Sequence, residues 1–286
     1  MAYVQAGVNG LLIGGVYALV SVGLTLVFGI MNVINFAHAV FLMIGMYVAY
    51  YAWALGGIDP LIGSVLAFAV VFVLGALIQR TLITPIIHAP ELSQIFLTVG
   101  LLITLENAAL LLFGSQFRSV RVGYQDQALN IGGVFVSVPY LAAFCIALVC
   151  GVALWLFLQS TSPGRAMRAT AQNAFAARLM GVDTRRMYSL AYGLGVGLTA
   201  LGGAVILPYG SVSPTIGNQF VLLMFTAVVL GGLGSVLGAL IGGLLVGLIQ
   251  GYSALFFPIQ LQNLVVFIVF ITVLALKPSG VLGRGR

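Results

Sequence analysis

Charge is nearly missing from this chain: charged residues make up 6% of its 286 positions, whereas hydrophobic residues make up 62%. Soluble domains carry about 25% charged and about 45–50% apolar residues, so too few polar side chains exist here to cover a water-facing surface. An ordinary soluble fold is excluded, and lipid must solvate most of the exterior. Lysine occurs once, at Lys277, with Pro278 after it. The phosphate-binding loop G-x-x-x-x-G-K-[ST] therefore has no place in the sequence, and the chain cannot hydrolyse ATP by that route. Cysteine is scarce too. Cys145 and Cys150 stand five residues apart in an apolar helix, which at about 100° per residue separates their faces. They read as packing residues and offer no thiol metal site. No basic residue precedes Arg80, so a charged signal-peptide n-region is lacking, and the first apolar stretch is expected to remain as a spanning helix.

What charge there is lies in one place. The formal net charge is +6, and five of the eleven basic residues (Arg165, Arg168, Arg178, Arg185, Arg186) crowd into a single loop between apolar spans. That is the positive-inside pattern rather than a nucleic-acid surface. Apolar stretches long enough to cross the hydrocarbon run near 8–30, 37–56, 62–83, 94–113, 139–158, 188–208 and 262–277, and 219–256 has room for two more. Each must be helical, because no sheet edge can face lipid with unpaired polar groups. The expected fold is all-α and polytopic, a single membrane domain over 1–286 with about eight to ten segments, some broken or re-entrant. The loop 159–187 and the tail with Lys277, Arg284 and Arg286 are placed in the cytoplasm. Four crossings separate them, and counting back five puts the amino end outside, unless 31–45 is re-entrant.

Glycine is abundant, with 37 copies. From Gly234 it recurs at Gly238 and Gly242, then at Gly243, Gly247 and Gly251, a spacing of four that lays small residues along a helix for close packing. Two stretches share a layout, one from Gly23 and one from Leu222. Each has an apolar helix, a short break rich in Gly or Asn, and a second helix ending on Tyr. Paired interrupted spans of this kind point to a transporter's central site.

Three constellations could carry function. Asn32, Asn35 and His38 in MNVINFAH are polar groups in apolar surroundings, where an unpaired one costs a few kcal/mol. They either line a pathway or pin a broken helix by bonding its freed backbone. His38 has no second ligand at metal spacing. Glu106, beside Asn107, is the one carboxylate inside an apolar span; it is either the relay of an ion- or proton-coupled carrier or a paired group holding helices together. The stretch SPGRAMRATAQNAFAARLMGVDTRR predicts one short helix, with Ser162 as cap, Pro163 at its first position and Gly181 ending it. Met167, Ala171, Phe175 and Leu179 would form one apolar stripe on it, docking on a partner or resting on lipid headgroups. On the opposite face, 114–138 is the longest polar connection, either a meeting surface or a plain linker.

The segments GLTLVFGIMNVINFAHAVFLMIGMYVA and SPGRAMRATAQNAFAARLMGVDTRRMYSLAYGLG resemble the permeases of branched-chain amino-acid ABC importers, specifically the LivH-type subunit. AVVLGGLGSVLGALIGGLLVGLIQ and the tail KPSGVLG are similar to that family as well, so the resemblance covers nearly the whole chain. It implies a permease of the bacterial plasma membrane that is not itself an enzyme and holds no cofactor. Expected partners are a second homologous permease, two cytoplasmic subunits that bind ATP and Mg, a periplasmic solute-binding protein and membrane lipid. The cargo would be a branched-chain or other hydrophobic amino acid, or a related small organic solute. The loop from Gly164 to Arg186 would be the coupling segment that fits the ATPase, with Gly164, Arg165, Arg168, Asn173, Phe175, Ala177, Leu179, Gly181, Asp183 and Arg185 in it. Ala39 departs from the pattern, which has glycine after Asn-Phe-Ala-His.

Overall fold

The protein is described by a computed structural model covering residues 1–277 and 280. Arg284 and Arg286, assigned above to the cytoplasmic tail, lie outside the described residues. The described residues form α1 (Ala2–Met31), α2 (His38–Gly56), α3 (Pro60–Ile78), α4 (Glu91–Phe113), α5 (Val138–Ser160), α6 (Ser162–Gln172), α7 (Ala174–Leu179), α8 (Thr184–Ala204), α9 (Gly217–Gly231), α10 (Val236–Phe256) and α11 (Ile259–Leu276). A π turn (Gln79–Ile83) and a 3₁₀ turn (Thr84–Ile86) prolong α3. Six of these elements, α1, α2, α3 with its prolongation, α4, α5 and α10, are long and apolar enough to cross a membrane. The all-α polytopic expectation holds.

The sequence spacing of small residues explains the core. On α10, Gly238 and Gly242 face Gly231 and Ala227 of α9, so closely that a methyl group at either would collide with backbone. Gly243, Gly247 and Gly251 turn instead to Ala18, Gly14 and Gly10 of α1. The run read as one recurring pattern is thus two stripes on adjacent faces, and α10 is clamped between α9 and α1. Around α1, α2 and α8 lies the main buried core, with Leu19, Phe41, Met43, Tyr47 and Tyr192 among its most enclosed side chains.

The amino end and the basic loop lie at opposite ends of the bundle. Gln5 donates to the carbonyl oxygen of Phe135 at 2.7 Å and accepts from its N–H at 2.9 Å, whereas the other end of α1 runs beside α6. That end carries the basic loop, the side expected from the positive-inside rule to face the cytoplasm.

Four boundaries differ from the sequence reading. The connection 114–138 contains an antiparallel hairpin, β1 (Ala128–Ile131) and β2 (Val134–Ser137). Gly132 and Gly133 both have positive φ, at 60° and 86°, the two-residue turn that matches strand twist. Second, the basic loop holds two helices, because Asn173 ends α6 and caps α7. Third, Thr161 and not Ser162 caps α6, its Oγ1 accepting from the N–H of Gly164 at 3.1 Å. Ser162 and Pro163 fall inside the first turn, where a missing N–H costs nothing. Fourth, the span 188–208 starts at Thr184 and stops at Ala204; residues 205–208 are turns, buried like the helix before them.

Candidate functional site

Inside the bundle, α1 ends because Asn32 turns left-handed (φ 53°), the single non-glycine residue with positive φ among the described residues, its N–H still reaching Phe28 O at 2.8 Å. Asparagine tolerates that conformation better than most residues. Asn32 itself is exposed. Residues 33–37 then fold back, so that His38, the first residue of α2, lies level with Gly23, about two turns before the end of α1. Three hydrogen bonds brace the break. Asn35 Oδ1 accepts from the N–H of Ala37 at 3.1 Å, Asn35 O accepts from the N–H of His38 at 3.2 Å, and Thr98 of α4 donates to Ile34 O at 3.3 Å.

Two contacts tie this break to α8. Asn35 Nδ2 donates to the hydroxyl oxygen of Tyr192 at 3.0 Å, and His38 Nε2 is hydrogen-bonded to Thr199 Oγ1 at 2.6 Å. All four side chains have 0% exposure. His38 Nδ1 has no partner. Ala39 is equally enclosed, and its carbonyl oxygen lies where a Cβ on Gly217 would come within 2.9 Å. The close approach of α2 to α9 therefore rests on Gly217, not on a glycine at 39. Sequence reasoning missed Tyr192 and Thr199. Their signal was present: seven residues apart, they share one face of α8 in a stretch made mostly of Gly, Ala and Leu.

Glu106 and Asn107 do not join that cluster. Glu106 sits on α4 and its Oε1 accepts from Asn218 Nδ2 of α9 at 3.0 Å; Asn107 is exposed and donates to Ile103 O within its own helix.

At the end away from the basic loop, Arg118 organises the long connection. Its guanidinium donates to the hydroxyl oxygen of Tyr51 at 2.8 Å and to Phe113 O at 2.7 Å, and lies 5.6 Å from the ring centres of both Tyr50 and Tyr51. Its backbone pairs with Val212 in both directions, at 2.9 and 2.8 Å. Nearby, Asp59 caps α3 through Leu61 N and accepts from the Tyr124 hydroxyl at 2.9 Å. Burial first, then the hydrogen bond and charge of Asp59, push that phenol above its ordinary range.

At the basic end, α6 is anchored. Gly164 packs against the backbone of Phe157 and Leu158, and Met167 is fully buried. Arg165 donates to Ser160 O and Ser162 Oγ, and Arg168 to Gln159 Oε1 at 2.7 Å. Asn173 Oδ1 then accepts from Ala176 N at 2.9 Å to start α7, which Gly181 closes at φ 83°. There Val182 N bonds Ala177 O and Gly181 N bonds Arg178 O, the paired bonds of a Schellman end. Asp183 next caps α8 through Arg186 N and pairs with Arg186 Nε at 2.9 Å. Because of the break at Asn173, the predicted four-residue stripe is split. Met167 points into the bundle, while Phe175, Leu179 and Met180 stand out at 66%, 73% and 85% exposure.

The sequence that forms these broken helices matches a known family over almost its whole length. The model for the branched-chain amino acid transport system permease component covers residues 7–274. The chain belongs to that family. A high-affinity branched-chain amino acid transport system permease protein, BraD of Pseudomonas aeruginosa, is 34% identical over 99% of this chain and 96% of its own. The corresponding LivH protein of Escherichia coli is 31% identical over the same shares. A probable LivH of Methanocaldococcus jannaschii is 27% identical over 93% of this chain and 88% of its own. No solved structure matches. The protein is thus a multi-pass permease subunit of an ABC transport system.

Proposed function

We propose that this permease carries a branched-chain or other hydrophobic amino acid inward as one half of a permease pair, driven by two cytoplasmic subunits that bind ATP and Mg. A periplasmic binding protein would deliver the solute at the outer end, where 114–138 and its Arg118-braced loop lie. The printed names of the relatives, which concern branched-chain amino acids, support the solute class. The observation that carries the coupling half is the exposure of Phe175, Leu179 and Met180 on a helix capped at both ends. Large apolar side chains that the chain itself leaves uncovered, at the end that faces the cytoplasm, fit the groove of a soluble partner.

The motion would run through neighbours already in contact. Both α6 and α7 pack on α8, and α6 also packs on α5 and α1. A push on α7 is therefore delivered to α8, which holds Tyr192 and Thr199 against the broken stretch before α2. Replacing Phe175 and Leu179 together by Asp is expected to remove the ATPase subunits from the purified complex. Undiminished copurification would overturn the docking role. For the solute, leucine uptake into vesicles holding the complete transporter is expected to need both ATP and the binding protein. Concentration of solute by the permease alone, under a proton gradient, would sink the reading.

A further inference from the structure

Between the cytoplasmic end of α3 and the start of α8 lies a cleft of about 770 Å³. One wall is apolar, made by Phe72, Val73, Ala76 and Leu77; Val73 and Leu77 are each 56% exposed. Its mouth is basic, with Arg80 from the π turn and Arg185 and Arg186 from the first turn of α8. Asp183 is the acidic residue in the lining, and it is already paired with Arg186. The guanidinium groups of Arg80 and Arg185 have neither an ion pair nor a hydrogen bond among the described residues. Three guanidinium groups thus meet one carboxylate, leaving positive charge that the cleft's own residues do not neutralise.

The cleft is built, not incidental. Gln79, fully buried, accepts from Ser189 Oγ of α8 at 2.5 Å and donates to Thr84 Oγ1 at 3.1 Å; Thr84 in turn donates to Gln79 O at 3.0 Å. These bonds hold the widened π turn against α8 and so keep Arg80 beside Arg185 and Arg186. Phe72 of the wall in turn rests on Gly193 of α8, where a Cβ would come within 3.1 Å of the ring. From Phe72 to Arg80 the helix rises roughly 12 Å, enough to run from the headgroup level well into the acyl region.

A soluble anion would gain nothing from the apolar wall, and a hydrocarbon chain nothing from the arginines. Both features together describe a single kind of molecule. We propose that this cleft binds an anionic phospholipid of the inner leaflet, its phosphodiester held among Arg80, Arg185 and Arg186 and an acyl chain laid along α3. Charge complementarity commits the site to this occupant: guanidinium forks suit phosphate oxygens, and anionic lipid is what the cytoplasmic leaflet presents to basic pockets between spanning helices. The lipid would sit where α8 leaves the coupling segment, bracing that joint.

The test is native mass spectrometry of the full-length permease, purified from membranes and titrated with phosphatidylglycerol or with phosphatidylcholine of the same chains. Phosphatidylglycerol is expected to be retained preferentially. Arg80→Gln should weaken its retention about fivefold, and Arg80→Gln with Arg186→Gln about 25-fold, since a basic group near an anionic surface contributes about 1 kcal/mol. Arg165→Gln, away from the cleft, should leave the preference for phosphatidylglycerol as it is. Leu77→Glu, on the exposed wall, should also abolish the preference and gives a second route should the double variant fold poorly. Equal retention of the two lipids, or an unchanged preference in the Arg80 variants, would overturn the site. So would loss of coexpressed ATPase subunits from Arg80→Gln, which would make the cleft a protein-docking surface instead.

Discussion

Asn35 and Tyr192, 157 residues apart in sequence, are joined by a hydrogen bond of 3.0 Å with both side chains sealed from solvent. Removing the hydroxyl leaves a buried amide N–H without a partner, which costs about 1–3 kcal/mol. Tyr192→Phe is therefore expected to lower the thermal midpoint of the purified permease. Asn35→Ala combined with Tyr192→Phe should cost less than the two single changes added together. Strict additivity in that double-mutant cycle would show that the bond contributes nothing.

Gly45 and Gly100 make a matched pair for testing close packing. A methyl group at Gly45 would strike the backbone of Ala200 on α8, whereas one at Gly100 meets nothing within 4 Å. Overpacking of this kind costs typically about 1–3 kcal/mol, and here the obstacle is backbone that cannot rotate away. Gly45→Ala should reduce the yield of folded protein, and Gly100→Ala should match or exceed the parent in thermal stability, given alanine's helix preference. Fluorescence-detected size exclusion reads both outcomes.

Arg118 acts through a planar fork that reaches a phenol, a carbonyl oxygen and two ring faces at once. A lysine carries the charge but not the fork. Arg118→Lys and Arg118→Ala are both expected to expose the 114–138 connection to limited proteolysis from the outer side. Full protection in the lysine variant would mean that charge alone suffices.

Glu106 accepts a hydrogen bond from Asn218, a role that a glutamine can fill through its own carbonyl oxygen. Glu106→Gln is expected to keep most ATP-driven uptake, while Glu106→Ala, which strands the Asn218 amide, loses several-fold more. Complete loss of uptake in the glutamine variant would instead assign the proton a part in transport.

Where local chemistry and tertiary structure agree, the sequence was readable. The spacing of Gly243, Gly247 and Gly251 foretold close helix contact, and Asn35 with His38 stood out as polar groups needing partners. Tyr192 and Thr199 showed in the sequence only as two polar residues on one face of α8; that they pair with Asn35 and His38 was not legible, because contacts across 157 and 161 residues are a property of the packed bundle. Asn173 was misread for a different reason. The surrounding alanines favour an unbroken helix, but the Asn side chain satisfies the Ala176 N–H better from outside it. Gly132 and Gly133 carried a hairpin signal that the polar surroundings of 114–138 obscured.

The two glycine stripes of α10 set a limit on how this machine can move. Backbones that touch without intervening side chains have no soft layer in which to slide, and a shift of a fraction of a turn would drive Gly243 or Gly247 into the chain of α1. The close contacts of α10 with α9 and α1 thus favour movement of the three together over sliding between them. If the bundle opens first to one side and then to the other, as proposed, the movement must lie outside that trio, where α4 is the span this chain covers least.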